Sequence, residues 1–153
     1  MDDLQRLEDW VAPLLEKLSA PERRALARAI ARDLRASTMA TMRAQQSPDG
    51  QPWEPRKNKL REERGRVRKK AQDMFVKLRT AKHLRAQATA SEAMVSIAGR
   101  AERIARVHHF GLRDRVKPGG PDYTYPERPL LGITDAQAEH VRSLLLSHLA
   151  GKA

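Results

Sequence analysis

Between Arg103 and Thr134 the chain reads RIARVHHFGLRDRVKPGGPDYTYPERPLLGIT, and few stretches restrict a fold so tightly. Four of the nine prolines, four of the eight glycines, both tyrosines and two of the five histidines lie here. Proline fixes φ and removes a backbone donor, while glycine opens positive φ. The helix-spaced run Ile104, Val107, His108 and Phe110 therefore ends at Gly111, and the spacing predicts a helix over 101–109. Asp114–Val116 and Tyr123–Tyr125 read as arms of a long hairpin around Lys117-Pro118-Gly119-Gly120-Pro121, a loop long enough to reach a neighbour. The proline-stiffened YTYPERP segment then leads to Thr134-Asp135-Ala136-Gln137, a capping box opening a last helix over about 135–149.

The rest of the chain supplies the layers this stretch must join. Leu4, Leu7, Val11, Leu14, Leu15 and Leu18 recur at helical spacing, with Pro13 placed to interrupt them. Ser19-Ala20-Pro21-Glu22 is a second capping box, predicting a helix over about 20–44 and, with the first, a helical hairpin. Pro48-Asp49-Gly50 is a turn, and Pro52 and Pro55 hold Trp53 in an extended segment. Such an indole either plugs the edge of the core or contacts another subunit. Val67, Ala71, Met74, Phe75 and Leu78 predict a third helix over about 60–80. Leu84–Thr89 and Ala93–Ala98, joined by a short polar link, predict a hairpin.

Charge is concentrated rather than spread. The formal net charge is +11, and residues 56–85 carry 13 basic against 3 acidic side chains. Arg66, Lys69, Lys70 and Lys77 would lie on the exposed face of the third helix, either solvated or facing a polyanion. Non-specific nucleic-acid binding through 56–85 is accordingly the alternative function. No helix-turn-helix or zinc-finger pattern accompanies the run, and aromatic residues able to stack on bases are almost missing from it.

No catalytic arrangement emerges. The chain has no cysteine, so thiolate chemistry and disulfides are excluded. Adjacent His108 and His109 diverge by ~100° on a helix, which prevents them from sharing a metal ion. His108 reads instead as packed or hydrogen-bonded beside the turn. There is no nucleophile elbow and no phosphate-cradling glycine loop, so no enzyme, metal or cofactor is expected. The acidic start at Asp2-Asp3 and the absence of a long apolar run predict no signal peptide, no membrane span and a cytoplasmic product.

Three segments bring a family into view. Pro48-Asp49-Gly50-Gln51-Pro52-Trp53 resembles the PDG-x-x-W loop of the phage virion morphogenesis (tail completion) proteins of contractile-tailed temperate phages and Mu-like prophages. Ala105-Arg106-Val107-His108-His109-Phe110-Gly111 is similar to their Y/A-x-x-H-Q-x-G segment, with His109 in place of glutamine. Tyr125-Pro126-Glu127-Arg128-Pro129-Leu130-Leu131-Gly132 resembles their YP-x-RP-hydrophobic-LG motif. The usual Thr-Gly-x-Leu is replaced by Thr80-Ala81-Lys82-His83-Leu84.

The resemblance implies a structural protein that completes the tail and enables head–tail joining, with no catalytic residues. It also implies a ring-forming homo-oligomer, hexameric as related rings often are. Its partners would be tail tube or terminator and head-completion proteins, with DNA in the channel lumen. It would reside in the host cytoplasm during assembly and in the virion tail or neck afterwards. Trp53, His108, Tyr123, Tyr125 and Arg128 are the candidate interface residues. The expected fold is α+β in one domain, 1–153: a helical hairpin (1–44), then a core (45–153) with a central basic helix, a small antiparallel sheet with a long hairpin, and a C-terminal helix.

Overall fold

The computed structural model describes residues 3–56 and 73–150. In chain order its elements are α1 (Asp3–Leu15), α2 (Ala20–Arg43), β1 (Leu84–Ala88), β2 (Ala93–Ile97), α3 (Ala101–Phe110), β3 (Arg113–Arg115), β4 (Asp122–Thr124) and α4 (Asp135–Ala150). The fold is α+β, as expected. The strands make two separate two-stranded sheets, β1–β2 and β3–β4, instead of one small sheet.

Two compact units divide the chain. The first gathers Met1–Ser37, Arg85–Ser96 and Ile133–Ala153; the second gathers Thr38–Leu84 and Ile97–Gly132.

In the first unit both capping boxes close reciprocally. Ser19 N donates to Glu22 Oε2 at 3.1 Å, and Glu22 N donates to Ser19 Oγ at 3.4 Å. Thr134 N donates to Gln137 Oε1 at 3.1 Å, and Gln137 N donates to Thr134 Oγ1 at 3.2 Å. Each box satisfies donors that a helix start leaves unpaired. Leu26 packs with Val141 and Leu145, and Leu18, Ile30 and Leu34 complete that cluster. The Gln137 amide also donates to Ser37 Oγ at 2.8 Å, and His140 Nε2 lies 2.8 Å from Asp33 Oδ2. The tight turn between α1 and α2 forms, and α1 also lies along α4. Pro13 falls near the end of α1, which stops two residues later. The β1–β2 turn is tied by Thr89, whose Oγ1 accepts from Ser91 N and Glu92 N.

In the second unit α2 supplies a different set of side chains. Met42 is fully buried and Thr38 nearly so. Leu78, Leu84, Ile97, Ala101, Ala105, Val107 and Leu130 are buried as well. The third predicted helix, 60–80, falls largely outside the described residues. Its described end, 73–80, is turn rather than helix. The cause is local: Phe75 adopts φ +62°, a left-handed value that a right-handed helix cannot contain. Gln45 holds the neighbouring residue in place, since its Oε1 accepts from Met74 N at 2.8 Å and its Nε2 donates to Met74 O at 3.1 Å. Thr80 needs no glycine for the next turn; its carbonyl accepts from both His83 N and Leu84 N.

The long hairpin pairs Arg113 with Thr124, Asp114 with Tyr123 and Arg115 with Asp122. Its arms lie one residue earlier than the sequence suggests. Asp114 ties β3 to α3, binding Arg103 Nη2 at 2.7 Å and Arg115 N at 2.9 Å through one oxygen.

Candidate assembly interface

The PDG turn places the first wall of the site. Ser47 N donates to Gln51 O at 2.8 Å and Gly50 N to Ser47 O at 2.9 Å. Asp49 Oδ1 accepts from Gln51 N at 3.1 Å, and Gly50 takes φ +87°. The chain returns so that Trp53 N donates to Gln45 O at 3.0 Å. The indole is 6% exposed and its Nε1 donates to Pro129 O at 3.0 Å, so within the single chain it is a core side chain.

From Trp53 a series of edge-on rings runs through the second unit. Trp53 meets Phe75 at 5.2 Å between centroids, Phe75 meets His108 at 4.9 Å, His108 meets Tyr125 at 4.7 Å, and Tyr125 meets Tyr123 at 4.9 Å. Edge-to-face contacts at this spacing each add about 0.5–1.5 kcal/mol beyond area burial. Four of the five interface candidates therefore lie in one ladder. Phe75, read from sequence as one more apolar helix position, is the rung that joins them.

Arg128, the fifth candidate, lies beneath the ladder. It is 5% exposed; its Nε donates to Glu54 O at 2.9 Å and its Nη2 to Pro55 O at 3.3 Å. Its backbone N donates to His108 O at 2.7 Å. Burial pulls the guanidinium below its ordinary pKa, opposed by the charges of Glu54 and Tyr123. Burial also pushes the His108 imidazole down to about 4, with the Arg128 charge adding to the effect. His108 is thus neutral near pH 7, and its Nδ1 is buried without a hydrogen-bond partner.

Gly111 and His109 anchor the adjoining strand. Gly111 ends α3 at φ +65°, and a β-carbon there would lie 3.0 Å from Glu127 N. His109 Nδ1 accepts from Leu130 N at 3.1 Å, so a ring nitrogen supplies the acceptor at this position. Gly132 passes against the PDG turn, where an added β-carbon would meet Pro48 Cγ at 3.2 Å. The three segments singled out in the sequence are thereby bound to one another.

Beside the ladder is a cavity of about 620 Å³, lined by Phe75, His108, Tyr123, Tyr125 and Arg128 among others. Glu54 and Asp73 stand at it, as do the exposed aliphatics Ile104 and Val116. Asp73, Ile104 and Val116 were not among the interface candidates read from the sequence. The proposed polyanion face is not assembled by the described residues. Arg66, Lys69 and Lys70 lie outside them, and Lys77 stands exposed in the turn after Phe75. No group of three metal-ligating side chains occurs among the described residues, and none of their helices is long and apolar enough to cross a membrane.

The rings and the buried guanidinium form one packed unit at the edge of the cavity. The sequence profile of the phage virion morphogenesis family matches residues 2–150, and the chain belongs to that family. The tail completion protein S of Escherichia phage P2 is 37% identical over 151 residues, covering 97% of this chain and 99% of that protein. No solved structure matches the chain significantly. Membership carries a structural part in virion morphogenesis; the family is not enzymatic, and neither is this chain.

Proposed function

We propose that the chain completes the tail of a P2-like contractile-tailed phage and makes it competent to join the DNA-filled head. The observation that carries this reading is the near full-length similarity to tail completion protein S. The protein acts as a ring-forming oligomer at the tail end, between tail tube or terminator proteins and head-completion proteins. The aromatic ladder and its cavity supply the subunit contact: Tyr123, Tyr125, His108 and Arg128 converge on one opening that a neighbouring surface can fill. Deleting the gene tests the reading by electron microscopy of lysates. Full heads and tails accumulate unjoined, and expression of the wild-type chain restores whole virions. Normal virions without the gene would refute it.

A second reading is favoured by the local charge, 13 basic against 3 acidic residues over 56–85. In a ring this segment faces the DNA in the lumen or an acidic tail surface. Retention of the isolated chain on DNA, falling steeply with salt, separates a DNA contact from an acidic protein surface.

A further inference from the structure

The cavity beside the ladder has an unusual border. Ile104 is 54% exposed and Val116 58% exposed, although both face a hollow walled by aromatic rings. Apolar surface of this kind gains about 25 cal/mol per Å² when covered. Glu54 and Asp73 stand at the same opening; among the described residues neither is in a salt bridge, and the Glu54 charge acts on Arg128. Arg128 is turned onto the carbonyls of Glu54 and Pro55, and Arg56 has a contact of its own. The opening thus presents rings, aliphatic edges and two carboxylates, with Arg56 and Arg128 beside them.

One exposed segment of the chain has the matching chemistry. The turn Lys117-Pro118-Gly119-Gly120-Pro121 is closed by Gly120 N donating to Lys117 O at 2.9 Å and Val116 N donating to Pro121 O at 3.2 Å. Both prolines and Lys117 are exposed, and among the described residues Lys117 is in no salt bridge. Proline-rich segments dock into aromatic grooves because their shape is already set and little entropy remains to be lost. Lys117 brings a positive charge that suits the Glu54 and Asp73 side of the opening. The turn cannot enter the cavity of its own chain. Val116 and Tyr123, at the base of the same short hairpin, are part of the cavity wall, and the two closing bonds prevent the tip from folding back.

We infer that this cavity seats the Lys117–Pro121 turn of a second copy of the chain. The inference rests on the ring-forming reading above and adds where one copy grips the next. Tip and seat are different surfaces, so the contact is head-to-tail, and repeated contacts close into a ring when the rotation between copies allows it.

The cysteine-free sequence makes a direct test available. A Lys117→Cys chain is mixed with an isotope-labelled Ile104→Cys chain, oxidised gently, and digested for mass spectrometry. A disulfide joining position 117 of an unlabelled chain to position 104 of a labelled one is expected. Lys117→Glu weakens association about tenfold or more, and adding Glu54→Lys with Asp73→Lys restores it. Oligomers that form normally in Lys117→Glu, or that never give the 117–104 crosslink, overturn this contact and leave the ring reading intact. A wild-type chain that stays monomeric at high concentration, alone and with tail tubes, overturns both.

Discussion

His108 is packed between Phe75 and Tyr125, and that packing changes its chemistry. Its Nδ1 is buried and unpartnered, and burial, with the charge of Arg128, holds the ring's pKa near 4. A histidine with a depressed folded pKa takes up protons more readily when unfolded. Stability is therefore full above about pH 6.5 and is lost as pH falls toward 4. The shift sets a ceiling of about 3 kcal/mol, which solvent screening of a half-exposed ring reduces to about 1–2 kcal/mol. Urea unfolding at pH 7.5 and 4.5 measures it: His108→Gln should flatten the acid decline seen in the wild type. Parallel curves for the two proteins would mean that His108 does not set the decline. Gly111 offers a second test at this scale. Gly111→Ala forces a side chain into φ +65° and against backbone atoms of Glu127, which should cost about 2 kcal/mol or more. Urea midpoints read it directly, and an unchanged midpoint would show that the strand after α3 yields freely. The glycine was legible in the sequence as a helix stop. Its approach to Glu127 was not, because a contact across 16 positions leaves no periodic trace.

The elements that sequence resolves best are those whose ends are written in side-chain hydrogen bonds. Both capping boxes, the PDG turn and the stop at Gly111 formed where the residues indicated, since each depends on partners two to four positions apart. The capping boxes also rank themselves. Thr134 accepts at 3.2 Å in a half-buried site and Ser19 at 3.4 Å in an exposed one, so Thr134→Ala should destabilise by about 1 kcal/mol and Ser19→Ala by less. Chemical denaturation of the two variants checks the order, and a reversed order would remove the argument from geometry. The span 73–80 failed for the opposite reason. Met74, Phe75 and Leu78 keep helical spacing, but the hydrogen bonds from Gln45, 29 positions away, hold Met74 and leave Phe75 left-handed. Periodicity records which residues are apolar and says nothing about a distant amide that outcompetes the helix. The same limit applies to α2: Leu26, Ile30 and Leu34 read as one stripe, while fully buried Met42 belongs to the second unit.

Across the molecule, the excess positive charge is concentrated in one stretch, 56–85. Reversing Lys69 and Lys70 to glutamate together should lower virion yield and DNA retention in the head without lowering thermal stability, if the basic run meets a polyanion. Unchanged yield would leave the run as a solvated surface. Of the interface candidates, Trp53, His108, Tyr123, Tyr125 and Arg128 were each visible as residues rich in shape or charge. The gathering of the last four around one cavity, with Trp53 joined to them through Phe75, was not visible, because Phe75 and Gln45 look ordinary in sequence.

The clamp of Gln45 on Met74 has a consequence for how such a protein diverges. Its oxygen accepts from Met74 N and its nitrogen donates to Met74 O, so one side chain 29 positions away answers both polar groups of that backbone residue. Glutamate offers no donor and lysine no acceptor, so neither substitute reproduces the pair. The place of Phe75 in the ring series is thus inherited through an amide in another part of the chain.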